Sequence, residues 1–157
     1  MAETYLTKEG LKQLQAEHAT LLKQKRQLTE EVSRAAALGD LSENAEYHAA
    51  RERLQHVSTR LAELDAKLVQ VRIIDELDIA SGEARIGTRV TLEDVKAKEK
   101  ISYLLVGPDE ADPQNGKLSI ASPLGKSLLG KKAGEQFTLS LPKAAVPYRV
   151  VKVERAV

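Results

Sequence analysis

Two runs of residues spaced alternately three and four apart constrain this chain more than any other feature. The first picks out Leu11, Leu14, His18, Leu21, Lys25, Leu28, Val32 and Ala35; the second picks out Tyr47, Ala50, Leu54, Val57, Leu61, Leu64, Leu68 and Val71. Each run reads as the a/d seam of a coiled coil. Two antiparallel helices joined by a tight turn pair residues whose numbers add to a constant. Here the sum is 82 at every rung, from Leu11 with Val71 to Ala35 with Tyr47. The chain therefore folds back near Leu41, and two carboxylates, Asp40 and Glu43, flank that point. Helices of about 30 residues make an arm roughly 45 Å long, so the tip is expected to stand clear of a small globular body.

Local signals place the helix ends. Thr7 is a plausible N-cap, with Lys8-Glu9-Gly10 opening the first turn. The first helix is expected to run to about Leu38, with Gly39 in the left-handed position that ends it. The second is expected from about Ser42 to Asp75. His18 and Lys25 are polar seam positions, the kind that fix register at some loss of stability. Ala35, Ala45 and Ala50 thin the tip end, so the helices are expected to approach closely there.

From Ile79 the periodicity changes. Ser81-Gly82-Glu83 reads as a linker or turn, and β-branched or alternating runs follow at 84–95, 100–106, 117–121, 135–141 and 146–153. Gly107-Pro108-Asp109, Asp112-Pro113 with Asn115-Gly116, and 130–134 divide them. Ser122 as N-cap and Pro123 at the first helical position predict a short helix that stops at Gly130. The expected class is α+β: an N-terminal antiparallel coiled-coil hairpin over residues 1–78, its acidic tip near 39–46, and a C-terminal, mostly antiparallel sheet domain with one short helix over 79–157.

Composition narrows the function. The chain has 24 Lys and Arg against 23 Asp and Glu, a net charge of +1, so it has no global basic field for nucleic acid. Neither half differs: residues 1–75 hold 11 basic against 12 acidic, the remainder 13 against 11. One Phe and no Trp leave little for a base-stacking platform. With no cysteine, disulfides, thiolate metal sites and a cysteine nucleophile are excluded. No apolar run reaches the ~18 residues of a membrane span, and Met1-Ala2-Glu3-Thr4 lacks a basic, apolar leader pattern. A cytoplasmic protein without membrane attachment is expected.

The tip acids have two readings. Asp40 can cap the second helix with Glu43 as its capping-box partner, and acids there suit the helix dipole. Yet Ser42 can also cap, which leaves the turn more acidic than it needs to be, at the end of an arm with no evident structural use for acids. Two carboxylates three residues apart near a helix start share a face and suit Mg²⁺, which takes oxygen ligands and usually completes its shell from elsewhere. On that reading Asp40 and Glu43 are half of a site whose other half belongs to a partner.

The string from Gly39-Asp40-Leu41-Ser42-Glu43-Asn44-Ala45-Glu46-Tyr47 to Arg51-Glu52 closely resembles the tip motif of the bacterial Gre transcript-cleavage factors, GreA type. The likeness extends to Tyr5-Leu6-Thr7, the coiled-coil length, Ser122-Pro123-Leu124 to Gly130-Lys131, and Val150 to Glu154. The resemblance implies an FKBP-like fold for the C-terminal domain, docked at the rim of the RNA polymerase secondary channel through a segment that includes Ser122, Pro123 and Leu124. It implies a coiled coil that passes down the channel. It also implies a Mg²⁺ ion held jointly by Asp40, Glu43 and the polymerase, with none bound by the isolated chain. The two acids then serve catalysis in trans, and the polymerase hydrolyses backtracked nascent RNA near its 3′ end. Ser42, Tyr47 and Arg51 fall where RNA or channel contacts are expected; Tyr47 could instead pack against Ala35, and Arg51 could be a solvated charge or pair with a neighbour such as Glu52. The factor is expected to be a monomer and not itself an enzyme. One departure stands out: such factors often carry Arg three residues before the Gly-Asp-Leu, and here that place is Ala36. Arg34 lies about 160° away around the helix, so the tip is expected to suit short RNA fragments.

Rival classes fit less well. A free-standing nuclease needs a second acid cluster that could fold onto the tip. A prolyl isomerase needs an aromatic-lined pocket, and the second half offers only Tyr103, Phe137 and Tyr148. A coiled-coil adaptor leaves the acids unexplained, and the intact Asp40/Glu43 pair argues against a channel-plugging inhibitor of the same fold.

Overall fold

The computed structural model describes residues 3–39, 44–77 and 82–156. In chain order they form strand β1 (Thr4–Leu6), helices α1 (Lys8–Ala36) and α2 (Ala45–Val69), and strand β2 (Val71–Ile73). Then come β3 (Thr88–Asp94), β4 (Glu99–Val106), β5 (Lys117–Ser119), helix α3 (Pro123–Leu128), β6 (Gln136–Ser140) and β7 (Ala145–Arg155). Short 3₁₀ turns cover Ile74–Glu76, Pro108–Glu110 and Pro113–Asn115. Two compact units result, one built on Leu11–Val71 and the other on Thr4–Gly10 together with the chain from Arg72 onward. Among the described residues no helix is long and apolar enough to cross a membrane.

The first unit carries the seam. Leu14, Ala35, Ala50, Leu61 and Leu64 are buried, and every other seam residue is half-buried except Lys25, which is exposed. Polar side chains bridge the helices in the same antiparallel register. His18 Nε2 lies 2.7 Å from Asp65 Oδ1, Arg53 reaches Glu31 at 3.5 Å, and Arg60 grips Glu17 with two donors, Nε at 2.7 Å and Nη2 at 3.2 Å. His18 thus does what a polar seam residue is expected to do, by pairing with one particular acid of the other helix. Helix α2 stops at Val69, short of the expected Asp75. The β-branched run Val71-Arg72-Ile73 pairs as a strand with β1 instead.

Both ends of the chain enter the second unit. Its sheet runs β5-β4-β3-β7-β6, antiparallel except for the parallel β4–β5 pair. The register of β7 against β3 shifts between Thr91 and Leu92, so Val151 is the extra residue of a bulge. Ala84, Val90, Leu92, Leu105, Leu118, Leu128 and Val150 form the core, with Phe137 and Tyr148 stacked against its margin. Helix α3 covers it.

Helix α1 starts inside this second unit, where side chains take up amides that its first turn leaves open. The buried Glu110 carboxylate accepts hydrogen bonds from the Thr7 N–H (2.8 Å) and the Thr7 hydroxyl. The same hydroxyl accepts from Gly10 N–H at 3.0 Å, the expected N-cap bond. Asp75 accepts from Lys8 N–H at 3.0 Å. Two carboxylates thereby sit at the positive end of α1, and Lys117 Nζ, 3.8 Å away, neutralises Glu110. A Cβ at Gly10 would fall on the Glu110 carboxylate, which would have to shift from its place against Thr7.

Thr7→Ala removes the cap and one charge-assisted partner of Glu110. It is expected to cost about 2–3 kcal/mol in urea unfolding. Gly10→Ala is expected to destabilise as well, although alanine favours a helix by about 1 kcal/mol; a gain in stability would show that Glu110 does not fill that space. A pH effect follows from Arg60, whose hydrogen bonds hold the Glu17 carboxyl below its ordinary value. A lowered carboxyl pKa gives stability that is present above the unfolded value of about 4.3 and is lost as pH falls through the folded value. Both side chains are more than a third exposed, so solvent limits the contribution to about 1 kcal/mol or less. Glu17→Gln is expected to lower the melting temperature slightly at neutral pH and to shrink its fall on acidification below about pH 4.3; an unchanged acid profile would rule the pair out.

Candidate functional site at the hairpin tip

The tip is built from the last turn of α1 and the first turns of α2. The α1 ladder ends with Ala37 N–H donating to Ser33 O at 3.2 Å and Leu38 N–H donating to Ala35 O at 3.1 Å. Gly39 then takes φ +127°, a left-handed-side value that favours glycine. Asp40, Ser42 and Glu43, the three tip residues singled out from the sequence, lie outside the described residues.

The N-cap of α2 is Asn44, not Asp40 or Ser42. Asn44 has extended backbone angles, and its Oδ1 accepts from Tyr47 N–H at 3.1 Å. Its Nδ2 donates to the Ala35 carbonyl at 2.6 Å. One side chain thus satisfies an orphan amide of α2 and a terminal carbonyl of α1. Sequence reasoning missed this role because Asp40, Ser42 and Asn44 are all good caps. The discriminating signal was Ala45-Glu46 directly after Asn44, a helix former followed by a first-turn acid. With Asn44 as cap, capping of α2 no longer accounts for Asp40, Ser42 or Glu43.

Tyr47 is half-buried, and its hydroxyl accepts from Arg51 Nη1 at 3.4 Å. Its ring meets His48 edge-on, with centroids 5.4 Å apart. The ring is thus partly packed on the hairpin beside His48, and its hydroxyl lies beside Arg51. Arg51 is exposed, and Glu52 approaches His56 at 3.8 Å. Arg34 lies elsewhere. With Glu31, Leu38, Glu46, Ala50 and Arg53 it lines a groove of about 470 Å³. The tip thus carries arginines in two places: Arg51 beside Tyr47, and Arg34 with Arg53 in the groove.

In the second unit, Ser122 caps α3 by accepting from Gly125 N–H at 3.0 Å, and its hydroxyl donates to Ser119 O at 2.7 Å. Pro123 is exposed at the first helical position, whereas Leu124 turns toward the core. A Cβ at Gly125 would collide with the Ser119 carbonyl, so this turn fits closely against the end of β5. Of the three residues expected to dock, Pro123 is the outward one; Ser122 and Leu124 hold the turn in place.

Among the described residues no three His, Asp or Glu side chains converge as a metal site. Asp40 and Glu43 offer hard carboxylate oxygens, the donors Mg²⁺ takes, and neither caps α2. The donor set fits that ion as part of a shell completed by other groups.

Comparison with known proteins agrees along the whole chain. Residues 4–73 match the family described as "Transcription elongation factor, N-terminal", and residues 79–155 match "Transcription elongation factor, GreA/GreB, C-term". The transcription elongation factor GreA of Thermodesulfovibrio yellowstonii is 42% identical over 149 residues, 94% of each chain. That of Chloroherpeton thalassium is 42% identical over 153 residues, 97% of each. Among solved structures, GreA factor homolog 1 of Thermus thermophilus is 29% identical with a TM-score of 0.45, over 98% of this chain and 99% of that one. The chain belongs to the GreA/GreB family of transcription elongation factors.

Proposed function

We propose that this elongation factor binds bacterial RNA polymerase, reaches its active centre through the secondary channel, and stimulates the polymerase's own cleavage of backtracked RNA 3′ ends. The observation that carries the reading is the acidic tip sequence: Asp40 and Glu43 fall in the stretch between the end of the 29-residue α1 and the start of α2, and Asn44, not either acid, is the N-cap of α2.

Asp40 and Glu43 would hold Mg²⁺ jointly with the polymerase. The ion supplies, when bound, activation of water and stabilisation of charge in phosphodiester hydrolysis. The chain's own residues present and aim two carboxylates. Ala35 and Ala50, both buried, keep the seam thin where the arm must enter a channel. Arg51 and Tyr47 lie beside the acids in sequence and give the RNA or the channel wall a cation and a phenol to meet, with Ser42 in the turn between the acids. The segment with Ser122, Pro123 and Leu124 docks the second unit at the channel rim. On this reading the chain works as a single copy in the cytoplasm and is an activator, not an enzyme by itself.

The test uses stalled, backtracked elongation complexes with no factor, the wild-type chain, or the Asp40→Asn/Glu43→Gln variant. Wild type is expected to speed RNA release. The variant is expected to bind polymerase equally but to lose at least about 10-fold in rate, since even outer-shell changes at metal sites cost 10–100-fold in metal affinity or activity. A wild-type chain that binds without raising cleavage would make it a channel plug. Cleavage of RNA by Mg²⁺ and this chain without polymerase would make it a nuclease.

A further inference from the structure

We propose that Asn44 is a positioning residue for the acidic tip, acting through its side-chain bridge from the start of α2 to the Ala35 carbonyl of α1. The inference rests on the transcript-cleavage reading for its functional part and on geometry alone for its structural part.

The bridge does more than a cap requires. Capping uses only Oδ1, which takes the Tyr47 N–H at 3.1 Å. Serine, threonine or aspartate would do that as well. The other end of the amide is spent across the hairpin, where Nδ2 donates to Ala35 O at 2.6 Å. That carbonyl already accepts Leu38 N–H at 3.1 Å, so both of its lone pairs are used and the end of α1 is fixed from two sides. The amide orientation is determined by its neighbours, because only Oδ1 can face an N–H and only Nδ2 can face a carbonyl. Of the four favoured capping residues, asparagine is the one that combines an acceptor with a strong two-hydrogen donor at this reach.

The consequence concerns the chain between the two anchor points. In sequence Asp40 and Glu43 lie between Ala35 and Asn44, the two residues that the bridge joins. Apart from the bridge, the seam nearest the tip consists of buried Ala35 and Ala50 with half-buried Tyr47, which is less apolar packing than the leucine rungs provide. Two carboxylates bind one ion well only when their separation is set beforehand. Asn44 supplies that restraint without touching the ion or the RNA.

Asn44→Ser separates the two jobs, because serine keeps the cap and cannot span to Ala35. The full-length chain is examined first without polymerase, by amide hydrogen exchange. In Asn44→Ser the Leu38 amide is expected to lose protection while the Tyr47 amide keeps it; in Asn44→Ala both are expected to lose it. The Mg²⁺ dependence of stimulated cleavage is measured next. Asn44→Ser is expected to bind polymerase like wild type, in competition with the Asp40→Asn/Glu43→Gln variant. It is also expected to need roughly tenfold more Mg²⁺ for half-maximal stimulation, with the same rate at saturation. Unchanged Leu38 exchange, or a Mg²⁺ curve that superimposes on wild type, overturns the proposal and leaves Asn44 a cap. If wild type itself gives no stimulation, the transcript-cleavage reading falls, and the exchange experiment still decides whether the bridge orders the tip.

Discussion

A helix cannot be left unfinished at either end, and α1 is met at its start by Asp75 and Glu110 from far along the chain and at its close by Asn44, nine residues beyond Ala35. Its 29 residues leave a set of amides at the start and carbonyls at the close that need partners. At the start, Thr7 supplies one acceptor, and Glu110 and Asp75 supply the others. At the close, Asn44 reaches back to Ala35. The first arrangement holds the opening turn of α1 within the second unit, and the second ties the last turns of α1 to the start of α2. What lies between is a seam of ordinary leucine packing that needs little further specification.

The distribution of polar groups along the hairpin follows from that division. The Arg60–Glu17 ion pair and the His18–Asp65 hydrogen bond lie toward the base and the Arg53–Glu31 pair nearer the tip, on side chains that solvent can reach. Such pairs contribute little energy but penalise a slipped register. Toward the tip the buried seam residues are Ala35 and Ala50, which offer less apolar packing than leucine. A directional bond takes over there. The site gains a slender profile and gives up packing energy, with one amide side chain in compensation.

Much of this was legible in the sequence. The constant sum of seam positions located the fold-back point and the register, because heptad packing leaves a periodic trace in every turn. Thr7, Gly39, Ser122 and Gly130 marked helix ends correctly, and the five strands of the larger sheet fell within the runs assigned to them, apart from a residue or two at the ends of β4 and β7. The unread features depend on distant partners. Strands β1 and β2 are three residues each, too short for alternation to register. Val71, assigned to the seam, is half-buried and also opens β2, so α2 ends early. Glu110 lies 103 residues from Thr7, and nothing near Pro108-Asp109-Glu110 identifies it as a helix cap. Leu124 reads as part of an exposed turn but faces the core. At the tip, three capping residues within five positions could not be ranked by capping propensity alone.

The Thr7–Glu110 pairing also sets an order of assembly. The hairpin is closed by contacts local in sequence, whereas the unit that holds its first turn draws on both ends of the polypeptide. A ribosome therefore delivers nearly all of the arm before Glu110 exists, and the Thr7 N–H and hydroxyl meet that carboxylate only once the sheet domain is synthesised. The arm is early and its root is late: this protein completes its foundations after its most extended part.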